Sequence, residues 1–317
     1  MEQLLTHRVK IILAFLALYI IWGSTYLAIR WGVESIPPFF MAGSRHLTAG
    51  LVLFFIMRRR EKIEITRIHW RSAFIIGGLL LVGGNGGVTW AEQRVPSGIT
   101  ALLVATVPLW IMILSWLQKE SVRPGIREFV GIVLGFCGLA ILIGPEEIVG
   151  GGRIDTIGAA ALLIAALLWS IGSLYSRKAP VPSSAFLNTS MQMIAGGILL
   201  IVLGFTTGES SKLNISDITA RSFLSLGYLA TFGSLIGFSA YIWLLKVSTP
   251  SKVTTYAYVN PVVAVVFGWL LAGEELSIRT ILASTVIIGS VIIITLPKNL
   301  NGWRKSFFAT KTPIEPS

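Results

Sequence analysis

The segment IIWGSTYLAIR, residues 20–30, places polar side chains within a run that is otherwise apolar enough for a lipid bilayer. A second segment, LLWSIGSLYSR at residues 167–177, carries tryptophan, leucine and arginine at the same third, eighth and eleventh positions. The two segments lie in different halves of the chain. We therefore interpret the chain as a duplication in which each half contains one copy of the same membrane helix.

The composition indicates an integral membrane protein. Hydrophobic residues make up 54% of the chain, charged residues only 13%, and the mean hydropathy is +0.76. Soluble domains have close to a quarter charged residues. A helix needs about 20 apolar residues to cross a hydrocarbon core of about 30 Å. Such runs predict an all-α fold with ten transmembrane helices, at roughly 11–31, 38–57, 72–91, 98–117, 128–144, 157–176, 184–206, 222–245, 253–272 and 278–296.

The basic residues alternate between the two sides of the predicted membrane. With a cytoplasmic N-terminus, 19 of the 26 lysines and arginines fall on the cytoplasmic side, six fall outside, and Arg45 lies within a span. The positive-inside rule then predicts that both termini are cytoplasmic. The net charge of +11 is therefore explained by topology rather than by nucleic-acid binding. For the basic segment 58–71 we favour this explanation over recognition of anionic lipid.

The duplication predicts two repeats of opposite orientation. Ala49 and Gly50 in the second span correspond to Ala195 and Gly196 in the seventh. Five spans are duplicated, and because five is odd the second copy enters the membrane from the opposite side. Many secondary transporters use such inverted repeats around a site near the middle of the bilayer.

Two prolines lie at corresponding positions near the middle of predicted spans. Pro108 is in VATVPLW of the fourth span and Pro261 is in YAYVNPVV of the ninth. A proline within a helix has no N–H and leaves a carbonyl in the preceding turn without its partner. Paired interrupted helices point to a transport site. The alternative is a kink that serves only helix packing.

The chain resembles permeases with two EamA repeats, within the drug/metabolite transporter superfamily. The resemblance rests on WGSTY at 22–26, MAGSRHLTAG at 41–50, the prolines of the fourth and ninth spans, and GEELS at 273–277. It implies repeats at 10–145 and 156–297 and a cytoplasmic tail at 298–317. It also implies a carrier in the bacterial cytoplasmic membrane, many members exporting amino acids, other metabolites or drugs, with a central cavity between the repeats.

Candidate cavity residues are aromatic, polar or proline residues within the spans. They are Trp22, Tyr26, Arg45, Asn85, Trp90, Thr106, Pro108, Trp169, Ser173, Gln192, Ser239, Trp243, Tyr258, Asn260 and Pro261. Polar groups at membrane depth are costly when they face lipid, so such a set favours a solute path. Contacts with neighbouring helices are the alternative for Asn85, and contact with lipid is the alternative for the tryptophans.

Arg45 has two interpretations. It is a permanent charge well inside a span, and its counterpart in the second repeat is Met191. It either forms a structural pair with Glu92 or faces the cavity and holds an anionic group of the solute. A site built on Arg45 would be asymmetric between the repeats.

Catalysis is the competing function. No Asp or Glu lies in the middle of a predicted span, and of three histidines only His46 lies within one. An enzyme would need acids, bases or metal ligands that converge on one site. We therefore expect no catalytic residue, metal or cofactor, and expect the lipid bilayer and a small-molecule solute as partners. A membrane-embedded enzyme or a scaffold remains the alternative, and the oligomeric state and ion coupling are left open.

Overall fold

The computed structural model describes residues 2–95, 100, 103–117, 125–143, 155–272 and 278–295. These residues form helices and turns, and no strand occurs among them. The ten longer helices are α1 (Glu2–Gly32), α2 (Pro38–Arg60), α3 (Arg67–Ala91), α4 (Val107–Leu117), α5 (Ile126–Ile143), α6 (Thr156–Lys178), α7 (Ala185–Thr206), α8 (Ala220–Val247), α9 (Tyr256–Ala272) and α10 (Ile278–Thr295). Three short helices lie at Glu209–Ser211, Ile215–Asp217 and Pro250–Val253.

The helices are those of a membrane protein. Within the described residues, six of them (α1, α2, α3, α6, α7 and α8) are long and apolar enough to cross a bilayer. Shorter apolar helices lie at Val107–Leu117 and Ile281–Ile294. The predicted all-helical membrane fold is thereby confirmed. The number of ten crossings and their inverted arrangement stay predictions, and the predicted tail and the GEELS segment lie outside the described residues.

Helices α2 and α7 pack along each other at glycines. An added Cβ at Gly43 would lie 2.7 Å from the side chain of Ile201, and one at Gly50 would lie 2.8 Å from the backbone N of Ile194. From the other side, a Cβ at Gly197 would lie 2.7 Å from the backbone N of Leu47. Small residues let helix backbones approach closely where lipid supplies no hydrophobic drive for association.

The remaining contacts follow a paired pattern. α5 packs against α10. α1 packs against α8 and α9, while α6 packs against α3 and α4. The third and fourth helices of the first half are α3 and α4, and those of the second half are α8 and α9. The first helix of each half therefore packs against the third and fourth helices of the other half.

Two helices are widened in the middle by π-helical turns. The widened segments are Gly78–Gly86 in α3 and Leu229–Phe238 in α8, which are the third helices of the two halves. In a π-helix each N–H bonds to the carbonyl five residues before it, so a turn holds more residues than an α-helical turn. Such segments often occur at functional sites.

The two prolines lie at different places in their helices. Pro108 is the second residue of α4, which follows a turn at Ala105 and Thr106. The prediction that it lies in mid-helix is therefore wrong. A proline in the first turn of a helix loses no hydrogen bond, because that N–H has no helical partner. Pro261 does lie inside α9, and a turn at Thr254 and Thr255 precedes that helix.

The segment after α7 is bonded to the start of α2. The Glu209 carboxylate accepts hydrogen bonds from the backbone N–H groups of Phe39, at 3.0 Å, and Phe40, at 3.2 Å. Burial raises the pKa of Glu209, and these two hydrogen bonds partly offset that rise. Pro37 precedes α2 and offers no side-chain cap. Glu209 therefore supplies, from the other half of the chain, the acceptor that the helix start lacks.

We expect Glu209→Ala to lower the midpoint of thermal unfolding of the purified protein. Losing a helix-end acceptor costs about 1 kcal/mol. Glu209→Gln should retain most of the stability, because its amide oxygen can still accept and burial disfavours the charged carboxylate. Circular dichroism in detergent measures both variants. Equal midpoints for wild type and Glu209→Ala would contradict this role.

Candidate functional site

A cavity of about 100 Å³ lies between the two halves of the chain. This volume is enough for several water molecules. Its lining comes from α1, α2 and α3 of the first half, from α6, α8 and α9 of the second, and from the segment around the start of α4. Most of its surface is apolar, with contributions from Ile29, Leu81, Val88, Val104 and Phe238. A concave, mostly apolar cavity with few polar groups is typical of a small-molecule site.

The polar part of the cavity is formed by α2 and α3. The Nη2 of Arg45 donates to Oδ1 of Asn85 at 2.5 Å, and Arg45 is only 4% exposed. The buried Nε of Arg45 has no hydrogen-bond partner. His46 is 3% exposed and lies near enough to Asn85 to interact with its side chain, but neither ring nitrogen has a hydrogen bond of good geometry. Three buried nitrogen atoms at this site are therefore without a hydrogen bond.

Glu92 is not a direct partner of Arg45. The two groups are close enough to interact electrostatically, but no ion pair or hydrogen bond joins them in the described structure. The Oε1 atom of Glu92 is itself buried without a partner. The predicted structural pairing of Arg45 with Glu92 is therefore not formed, and Asn85 holds the guanidinium instead.

Aromatic side chains from both halves meet at the cavity. The ring centroids of Trp22 and Trp169 are 5.7 Å apart in an edge-to-face arrangement. Trp22 also contacts Tyr256 edge to face at 4.9 Å, and Tyr241 at 5.3 Å. Edge-to-face contacts are favoured because the positive ring edge meets the negative ring face.

Hydrogen bonds fix both tryptophans. Nε1 of Trp22 donates to the carbonyl of Gly233, in the widened part of α8, at 3.1 Å. Nε1 of Trp169 donates to the hydroxyl of Tyr241 at 2.8 Å, and that hydroxyl also bonds to Oγ of Ser173 at 2.5 Å. A buried indole needs such a partner, because an unsatisfied N–H in an apolar region is costly.

Each tryptophan lies against a glycine of the opposite half. An added Cβ at Gly84 in α3 would lie 2.6 Å from Cε3 of Trp169, and one at Gly237 in α8 would collide with Nε1 of Trp22. Both glycines are in the π-helical segments. Gly84 precedes Trp90 by six residues, and Gly237 likewise precedes Trp243 by six, so the two glycines hold matching positions in the repeats.

Five of the predicted candidates line the cavity, namely Trp22, Arg45, Asn85, Trp169 and Asn260. Asn260, with its amide orientation assigned from its neighbours, donates to the carbonyls of Tyr19 at 3.2 Å and Tyr256 at 3.1 Å. Ser173 lies just behind the lining through its bond to Tyr241. Pro108 and Pro261 are buried beside the lining residues Val107 and Asn260.

Other candidates are not among the described lining residues. Arg94 stacks over Trp90 at 4.7 Å, Thr106 donates within its own turn to Leu103, and Gln192 donates to Asn188 at 3.0 Å. The hydroxyls of Ser239 and Tyr258 are buried without partners. Trp243 packs at the edge of the main core. The Tyr26 side chain lies outside what the structure describes. A role in transport stays a prediction for the whole set.

Tyr241 and Tyr256 also belong to the site, although neither is among the candidates predicted from the sequence. Tyr256 precedes Asn260 by four residues and so shares its helix face, and this spacing could have identified it. Tyr241 follows Gly237 by four residues in the same way.

The EamA-like transporter family matches residues 9–144 and 156–296. YedA of Escherichia coli K12, named as an uncharacterized inner membrane transporter, is 43% identical over 289 residues, covering 90% of this chain and 91% of YedA. YoaV of Bacillus subtilis, named as an uncharacterized transporter, is 28% identical over 280 residues, covering 88% of this chain and 94% of YoaV. The inner-membrane location predicted from the sequence agrees with the name of the E. coli relative.

A crystal structure of another protein shares the fold. It superposes with a TM-score of 0.74 and covers 89% of this chain and 95% of its own, at 18% sequence identity. At this identity the likeness concerns the fold alone.

We expect Gly84→Ala and Gly237→Ala to lower thermal stability, because each added methyl group would displace a buried tryptophan. Overpacking of this kind costs about 1 to 3 kcal/mol. Gly227→Ala is the matched control, since no atom lies within 4 Å of its added Cβ and alanine favours helix. Thermal unfolding and tryptophan fluorescence of the three variants measure the effect. Equal unfolding midpoints for the three variants would show that Gly84 and Gly237 are not needed to accommodate the tryptophans.

Proposed function

Because the chain belongs to the EamA-like transporter family, we propose that this membrane transporter is a secondary carrier that moves a small molecule by alternating access at the central cavity. The single observation that carries the proposal is the reciprocal contact of Trp22 with Gly237 and of Trp169 with Gly84. Equivalent residues of two repeats make equivalent contacts on either side of one cavity. Such symmetry lets the two halves exchange conformations and open the cavity to each side in turn.

The arrangement of the helices supports inverted repeats. We propose repeats at 10–145 and 156–297, each with five membrane-crossing helices, followed by a cytoplasmic tail at 298–317. The exchange of contacts between α1 and α6 is the relation that a two-fold axis in the membrane plane would produce. Both π-helical segments then border the cavity at corresponding places, as interrupted helices do at transport sites.

Export is the direction we propose. It rests on the resemblance to permeases that release amino acids, related metabolites or drugs from the cell. Relatives that carry a functional name are transporters, which supports transport over catalysis or a scaffold role.

We expect cells that overproduce the wild-type protein to release more of at least one metabolite than cells that overproduce Ala166→Phe. Ala166 lines the cavity and is 2% exposed, so phenylalanine there would fill the space a solute needs. The matched control is Ile164→Phe, two residues away on α6 and 57% exposed. Untargeted mass spectrometry of the medium compares the three strains at equal protein levels. Identical media from wild type and Ala166→Phe would count against the cavity as the transport site.

We expect both termini in the cytoplasm. A fluorescent protein fused to the C-terminus should fluoresce, and alkaline phosphatase fused there should be inactive, because phosphatase matures only outside the cytoplasm. A phosphatase fusion after Ser35, between α1 and α2, serves as the positive control. An active C-terminal phosphatase fusion would refute the topology.

A further inference from the structure

The charge balance of the cavity is unequal. Among its described lining residues Arg45 carries a permanent positive charge, and that lining includes no aspartate or glutamate. Glu92 lies within electrostatic range of Arg45 but is not among the described lining residues, and no ion pair or hydrogen bond joins the two groups in the described structure. A solute that enters the cavity therefore meets one cation without a paired anion.

The guanidinium of Arg45 has at least one N–H donor that is not used in a hydrogen bond. Asn85 accepts from Nη2 of Arg45, which holds one end of the group, while Nε–H has no partner. Arg45 is 4% exposed, so water compensates this donor poorly. An ionised donor buried without a partner is costly unless a ligand completes it. The fold does not require a charge here, because the counterpart position holds Met191, fully buried in the core.

Apart from His46, which neighbours Arg45 and whose ring nitrogens have no hydrogen bond, the other lining groups are engaged or apolar. Nε1 of Trp22 and of Trp169 are both bonded within the protein, and Thr25 donates to the carbonyl of Trp22. The tryptophan faces and the apolar side chains of Val88, Val104 and Phe238 remain for contact with a solute. Such a surface favours an apolar or aromatic body, with polarity confined to the end that meets Arg45.

We propose that the cavity binds a monoanionic acid with an apolar body, whose carboxylate is held by Arg45 and oriented through Asn85. This deepens the proposed transport function and rests on it. A planar carboxylate matches two parallel N–H groups of a guanidinium. A dianion would bring a second charge without a cation. The ammonium of a zwitterion would lack a carboxylate partner among the described lining residues.

Four probes of similar shape test the charge requirement on the purified full-length protein in detergent. They are 3-phenylpropanoate, its neutral amide 3-phenylpropanamide, the zwitterion phenylalanine and the dianion phenylsuccinate. Tryptophan fluorescence and thermal unfolding report binding, since Trp22 and Trp169 line the cavity. We expect 3-phenylpropanoate to bind at least tenfold more tightly than each of the other three. Equal binding of the amide or the zwitterion, or no binding of any probe, would overturn the proposal.

Variants of Arg45 test whether this residue causes the preference for the acid. We expect Arg45→Lys to weaken 3-phenylpropanoate binding at least tenfold, and Arg45→Gln to remove the preference for acid over amide. Arg94→Gln is the control, because Arg94 is exposed and does not line the cavity. A preference that survives in Arg45→Gln would overturn the assignment. If Arg45→Gln does not fold, the probe series on wild type still decides.

The outcome is separable from that of the proposed function, because binding in detergent requires no transport. Release of a neutral or cationic metabolite that Ala166→Phe abolishes would leave transport standing and overturn the acid specificity. Binding of the acid in detergent without release of any metabolite would support the acid specificity and count against the proposed transport.

Discussion

The edge-to-face contact between Trp22 and Trp169 is the interaction on which the centre of this protein depends. Each indole occupies space that exists only because a glycine of the other half has no side chain. The hydrogen bond from Trp22 to Gly233 then ties α1 to α8, and the bond from Trp169 to Tyr241 ties α6 to α8. The cavity lies beside these rings, so its shape follows from how the two halves hold each other's tryptophans.

The elements of the fold were largely predictable. The sequence predicts spans at 38–57 and 184–206, and the structure has helices at Pro38–Arg60 and Ala185–Thr206, because long apolar runs have few alternatives in a bilayer. The π-helical segments were not predictable. Hydrophobic periodicity averages over several turns, and four glycines around Asn85 are equally compatible with an α-helix that packs closely. Pro108 lies in the first turn of α4 rather than in mid-helix, and the sequence could not distinguish the two because proline fits either the first turn or a kink.

The sequence predicted which residues lie at membrane depth, but it did not predict which of their side chains face the cavity. Trp22, Arg45, Asn85, Trp169 and Asn260 line the cavity, whereas Gln192 pairs with Asn188 within α7 and Trp90 lies under Arg94. All of these residues occur in or near predicted spans, and position along a helix does not reveal which neighbour a side chain faces. The direction is set by contacts between helices that are distant in sequence, such as α1 with α8 and α9.

The π-helical segments also bear on the history of the chain. A π-helical turn holds one residue more than the α-helical turns around it, so a single inserted codon can create one without disturbing the rest of the helix. The same helix is widened in both halves, and in both the glycine that receives the opposite tryptophan lies six residues before a second tryptophan. The simplest history has the insertion occurring once, in an ancestral gene for a single repeat. Two copies in one chain can also differ from each other, as Arg45 and Met191 do at corresponding positions.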